Sequence, residues 1–277
     1  MPPSPFDADT TPSADGSVDL AERWNVGRNQ NGGVLLATVA RALGEVTGQP
    51  DPFAVTGHYL AAATNGPASV RSTLVKPGRT YATATGELWQ DDRERIRVVG
   101  SFGDLVTRAA EGPFAIPVEL PPLPPVDGCT DLFGLLTTAV GERSLTKSLR
   151  NFEIRTDPDG GWGPGEQPKR PSLRGWVRFR DEDTVTPMML LALADGFPPT
   201  LLGHTEIGWL PTIELTVHVF GRPPADEPWL RAELSTRTIA GGLLDEDGEL
   251  WTADGRLVAR FRQLAMLIPR TPDDSPK

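Results

Sequence analysis

Two stretches of this chain are apolar on nearly every face, and each precedes a run of segments in which apolar and polar residues alternate. The first is Val34-Leu35-Leu36-Ala37-Thr38-Val39-Ala40-Arg41-Ala42-Leu43, halted by Gly48 and Pro50. A helix apolar all round belongs in an interior. Four strands are predicted after it, over residues 53–62, 69–76, 79–90 and 93–102. The second apolar stretch runs from Pro187 to Asp195, with Thr186 placed to cap it and proline at the favoured first position. Strands are predicted after this one over residues 207–220, 229–239, 242–252 and 256–267. An earlier strand is expected before each helix, near residues 18–26 and near 149–155 or 173–180.

The two halves also share residues. Gly86-Glu87-Leu88-Trp89 recurs 162 positions later as Gly248-Glu249-Leu250-Trp251, and a turn and an alternating run follow each copy. A buried helix followed by antiparallel strands, twice over, is an α+β pattern. It predicts a double hot-dog: two modules, each with a helix wrapped by a sheet, joined edge to edge. The expected divisions are a flexible N-terminus (1–16), an N-terminal module (17–120), a linker (121–130), a C-terminal module (131–270) and a tail (271–277). The linker is predicted from Pro121-Pro122-Leu123-Pro124-Pro125, which can be neither helix nor central strand.

Composition narrows the function. A net charge of -10 argues against a nucleic-acid partner, which needs a dominant basic face. No apolar run approaches the roughly 18–20 residues of a membrane span. The single cysteine, Cys129, rules out an internal disulfide and a cysteine-based zinc cluster. Met1-Pro2-Pro3-Ser4-Pro5 has no secretory pattern, and a cytoplasmic location is expected. Nothing matches a Gly-x-Ser-x-Gly elbow, a phosphate loop or a dinucleotide motif.

Arg23-Trp24-Asn25-Val26-Gly27, followed by Asn31-Gly32-Gly33-Val34-Leu35-Leu36-Ala37, resembles the entry to the first helix in the acyl-CoA thioesterase II family, especially its actinobacterial thioesterase-like members. Ala194-Asp195-Gly196-Phe197, Pro211-Thr212-Ile213-Glu214 and Arg262-Gln263-Leu264-Ala265 are similar to the places where that family carries a catalytic Asp, Thr and Gln. The resemblance implies hydrolysis of acyl-CoA or a related acyl thioester by a water positioned by Asp195, Thr212 and Gln263. It implies no cofactor or metal, and assembly as a homodimer or higher homo-oligomer. The family's aromatic-leucine-arginine-proline turn is altered here to His58-Tyr59-Leu60-Ala61-Ala62-Ala63-Thr64, which bears on substrate contacts on that side.

Taken singly, these residues leave alternatives open. Asp195 is either a base beside the substrate or a solvated aspartate at a helix end. The repeat favours asymmetry: 162 positions before Asp195 stands Gly33, and residues 33–44 contain no acidic side chain. The first module is therefore expected to supply backbone N–H groups at Gly32, Gly33 and Val34 for the thioester oxygen, although these glycines would also serve a close-packed turn. His58, named among the substrate-binding candidates because it could line the pocket, reads like the other histidines more readily as a structural or merely polar residue. His204 and His218, near Glu206 and Glu214, lack metal-ligand spacing. Arg93, Arg95 and Arg97 share a face and read either as a phosphate contact or, preferably, as a charged edge strand. Two rival functions share the fold: a non-catalytic acyl-thioester binding module, and an enoyl hydratase or dehydratase. The latter needs a histidine close behind its aspartate, a spacing that Asp195 and His204 do not provide.

Overall fold

Helix α2 (Gly32–Thr47) forms where the first apolar stretch was expected, capped at its start by Asn31 and at its end by Gly48 in the left-handed conformation. Its residues 33–40 and Leu43 are all buried. The computed structural model describes residues 3–110, 120–142, 145–160, 171–201 and 207–269. His204, Glu206 and the expected tail 271–277 lie outside them.

Around α2 the first half holds α1 (Pro5–Thr10), β1 (Ser17–Leu20), the short pair β2 (Asn25–Val26) and β3 (Asn29–Gln30), then β4 (Asp51–Tyr59), β5 (Gly66–Lys76), β6 (Tyr81–Gln90), β7 (Arg93–Gly103) and α3 (Leu105–Ala110). The second half holds β8 (Thr130–Asp131), α4 (Leu132–Val140), β9 (Phe152–Thr156), β10 (Ser172–Phe179), α5 (Pro187–Leu193), β11 (Ile207–Trp209), β12 (Thr212–Val219), β13 (Leu230–Ala240), β14 (Leu243–Trp251), β15 (Leu257–Met266) and β16 (Ile268–Pro269). Among the described residues, twelve strands form one sheet in the order β1-β5-β6-β7-β4-β12-β15-β14-β13-β10-β9-β8, antiparallel throughout. This is the double hot-dog: both helices lie on the inner face, and the halves join through the β4–β12 ladder.

Thr56 faces Thr216 at the middle of that ladder, their hydroxyls 2.8 Å apart. The GELW repeat falls at matching places. Gly86 stands opposite Ser72 and Val98, and Gly248 opposite Leu234 and Phe261. A Cβ on Gly86 would come within 2.8–2.9 Å of Leu43 and Val39 side-chain carbons, so glycine there lets α2 lie close against its sheet.

Three expectations change. The N-terminus is packed rather than free: α1 is capped by Ser4, and Phe6 is fully buried against Trp24 and Phe179. These rings continue into Phe152, so one aromatic cluster ties the leading segment to both halves. Arg41 binds Asp7 and Thr10, Arg23 binds Asp9, and the Phe6 N–H donates to Glu182 at 2.7 Å. The start of the chain is thus a surface strap, anchored by the Phe6 ring and by these polar contacts. Second, β7 is an interior strand between β6 and β4, not an edge. Arg97 on it pairs with Glu94 and Glu87, and Arg95 with Asp91 and the Ala62 carbonyl. Third, α4 adds a helix that the pattern reading did not assign. The proline-rich connector lies along the outer face of the second half's strands, its Pro121 and Pro124 carbonyls accepting from Arg231 of β13 and the Trp176 indole of β10. Among the described residues no helix is long and apolar enough to cross a membrane.

Candidate active site at the helix junction

Helix α5 is short because Gly196 and Pro198 follow it, and Asp195 is left just past its end. That end abuts the start of α2. A Cβ on Gly33 would stand 2.8 Å from the Ala192 carbonyl oxygen, 2.9 Å from that of Leu191 and 2.9 Å from the Asp195 Cβ. Any larger residue would force two backbones apart. The junction sets the carbonyl end of one helix against the N–H end of the other, a favourable alignment of dipoles.

The Asp195 carboxylate accepts from the Gly33 N–H at 3.1 Å and from Asn31 Nδ2 at 3.0 Å. Asn31 Nδ2 also donates to the Asp195 carbonyl at 2.7 Å. The other end of the same amide caps α2, its Oδ1 accepting from the Val34 N–H at 3.0 Å. The Asn31 N–H in turn donates to the Trp24 carbonyl at 2.9 Å, which fixes the cap to the aromatic cluster. Burial pushes the Asp195 carboxyl up from 3.8 to about 6, against the pull of the Gly33 and Gly32 N–H groups. Asp195 nevertheless retains partial exposure. A buried carboxylate raised in this way is a candidate general base.

Tyr59 lies beside it, on the inner face of β4, and its hydroxyl donates to the Gly32 carbonyl at 2.8 Å. Burial, then the negative charges of Asp195 and Glu214, hold this phenol well above its ordinary value, so it stays a neutral donor. On the second module Thr212 and Gln263 do meet: the threonine hydroxyl donates to Gln263 Oε1 at 3.2 Å. A register shift between Thr212 and Glu214 sets Thr212 opposite Ala265 and turns it onto the inner face with Gln263. The Gln263 amide N–H groups have no acceptor among the described residues.

No direct hydrogen bond joins Asp195 to Thr212 or Gln263 among the described residues. The charge of Asp195 acts on Tyr59 of β4 and on Glu246 of β14; Thr212 and Gln263 are carried by β12 and β15, which stand between those two strands in the sheet order.

Two sequence expectations are corrected here. The N–H groups of Gly33 and Val34 are not free for a substrate oxygen: Asp195 and the Asn31 cap take them. The positive end of α2 holds the protein's own anion. His58 is exposed on the outer face of β4, opposite Glu214 and Arg97, whereas the next residue, Tyr59, points inward. Strand alternation allows only one of two neighbours to face a pocket. Asn31 and Tyr59 were not anticipated as site residues. Asn31 carried a signal, since asparagine just before an apolar helix is a favoured cap. Tyr59 carried none beyond its alternation with His58.

Family models for the acyl-CoA thioesterase N-terminal and C-terminal domains match residues 20–103 and 117–267. An uncharacterized protein of Mycobacterium tuberculosis is 27% identical over 276 residues, covering 90% of this chain and 89% of that one. A crystal structure from Thermobifida fusca, described as a candidate thioesterase II, superposes with a TM-score of 0.82 at 26% identity, over 97% of this chain and 99% of that one. A hot-dog protein of unknown function from Alicyclobacillus acidocaldarius superposes at 0.79 with 19% identity, over 96% and 98% of the two chains, a likeness of fold alone.

Proposed function

Because this chain belongs to the acyl-CoA thioesterase family, we propose that it hydrolyses acyl-CoA, or a closely related acyl thioester, with Asp195 as the base that activates water. The reading rests above all on the buried Asp195 carboxylate, held at the start of α2 and raised to about 6. Above that value it is ionised and takes a proton from water. The water oxygen bonds to the thioester carbonyl carbon, the C–S bond breaks, and the thiolate leaves with a proton returned through Asp195. The products are a free acid and a free thiol.

Thr212 and Gln263 would hold the water in line. With Gly33 and Val34 engaged elsewhere, the unpartnered amide N–H of Gln263 is the donor best suited to the oxygen as it becomes negative. We assign the activity to the cytoplasm and to a homodimer. The test is thiol release, followed with a thiol-trapping reagent across acyl-CoAs of graded chain length. Release above the buffer rate for at least part of the panel is expected. A folded protein that binds acyl thioesters and releases no thiol from any of them would leave a binding module instead.

A further inference from the structure

Three buried carboxylates lie outside this mechanism among the described residues: Asp51 and Asp157, which pair with Arg222 and Arg174, and Glu246. Glu246 lies on the inner face of β14 at 6% exposure. It stands opposite Gln263 of β15 on one side and Thr236 of β13 on the other. Its Oε2 accepts from the Thr200 N–H at 2.9 Å and from the Thr200 hydroxyl at 2.7 Å. That hydroxyl lies 2.8 Å from the hydroxyl of Thr236. Burial raises the Glu246 carboxyl, the two Thr200 bonds oppose the rise, and the charge of Asp195 adds to it.

The fold does not require this polar row. At the matching place in the first half, Ala84 of β6 pairs with Gly100 of β7 and with Leu74 of β5, which leaves the row apolar. The second half therefore carries a desolvated carboxylate that its sister half does without, and such a group is costly unless it is held. What it holds is specific. Thr200 is fully buried and ends the segment that begins at Asp195. Among the described residues, Thr200's bonds to Glu246 and Thr236 are the hydrogen bonds that join this segment to the sheet carrying Thr212 and Gln263. On the opposite side Asp195 is held by α2.

We propose that Glu246 is a positioning residue, which anchors the segment behind Asp195 to the strand beside Gln263 and so sets the spacing between base and water holder. The proposal rests on Asp195 and Gln263 acting on one water. Glu246→Leu removes both acceptors at similar volume, whereas Glu246→Gln keeps an oxygen that can accept both Thr200 bonds. Glu246→Leu should lower kcat by about 10- to 100-fold with KM within about threefold, the penalty of a base displaced by an ångström or less. Glu246→Gln should recover kcat to within about threefold of the parent. Adding Glu246→Leu to Asp195→Asn should slow the enzyme no further, because both changes act through one group.

A folded Glu246→Leu protein with parental kcat overturns the proposal, as does a Glu246→Gln protein equally slow, which would make the charge and not the anchor the active feature. Losses that multiply in the double variant also overturn it. If Glu246→Leu does not fold, Thr200→Val, which removes the hydroxyl's bonds to Glu246 and Thr236 and keeps that of the N–H, should lower kcat by about 3- to 10-fold, and an unchanged kcat is then decisive against the anchor. An active Asp195→Asn single variant would instead remove the underlying reading, and that arm is measured separately.

Discussion

Replacing Asp195 by asparagine removes the base while keeping the shape, and its effects on activity and stability should run in opposite directions. Burial raises this carboxyl from 3.8 to about 6. The folded protein thus holds the proton more tightly than the unfolded chain does. Its contribution is fully favourable below about pH 4, is lost as pH rises from 4 to 6, and is then constant. That shift corresponds to at most about 3 kcal/mol of destabilisation above pH 6, with the remaining exposure of the side chain reducing it. Asparagine carries no charge to desolvate, and its Oδ1 can still accept from the Gly33 N–H. The variant should therefore match the parent near pH 4 and exceed it by about 1–3 kcal/mol at pH 8. Urea denaturation at the two values measures the difference. In the thiol-release assay the same variant should lose about 10²–10⁴-fold in turnover, the usual penalty for losing a positioned base. Parental kcat/KM should rise with pH through about 6. Full activity in folded Asp195→Asn would sink the mechanism. Equal destabilisation at pH 4 and pH 8 would show that burial strain is not what raises the carboxyl.

Other outcomes follow from particular contacts. Thr212→Val and Gln263→Leu should each slow thiol release, and neither should slow Asp195→Asn further, since all three act on one water; multiplied losses would contradict a shared site. Gly33→Ala places a methyl within 2.9 Å of two carbonyl oxygens of α5. It should destabilise by about 1–3 kcal/mol in urea denaturation and lower turnover by disturbing Asp195. Phe6→Ala empties the fully buried centre of the aromatic cluster and should lower unfolding free energy by about 3–5 kcal/mol; a loss under 1 kcal/mol would mean the strap does not bear on the fold. Sedimentation should give the mass of two chains at micromolar concentration, as expected for symmetric soluble assemblies, and a single-chain mass would refute the dimer.

Much of the architecture was legible because both periods are strong. The alternation in residues 79–90 and 93–102 comes close to β6 and β7, and the apolar runs mark α2 and α5. The helix α1 was not legible, since a lone Phe6 among prolines and acids carries no period, and its burial depends on rings elsewhere in the chain, Trp24 and the distant Phe179. Facing was harder than existence. The segment at residues 58–59 was recognised as strand, but whether His58 or Tyr59 faces inward depends on the register of β4 against β12 and β7, which no local pattern records. The cradle of Asp195 was hidden for a related reason. Asn31 and Asp195 are separated by 164 residues, and the reading of Gly33 as a donor was right about its N–H and wrong about its partner.

The ladder between β4 and β12 joins residues some 160 positions apart, from His58 with Glu214 to Ala54 with His218. During synthesis the first half therefore emerges with one side of β4 unpaired and the start of α2 uncovered, until most of the second half has left the ribosome. An open strand edge is a template for unwanted pairing, and non-local ladders form late. Asp195, the base proposed above, lies in the later half, so on that proposal a chain that stops before it cannot hydrolyse substrate. Turnover in a cell extract would count only chains whose synthesis and docking are complete, and a protein truncated before residue 212 would be both inactive and prone to associate through β4.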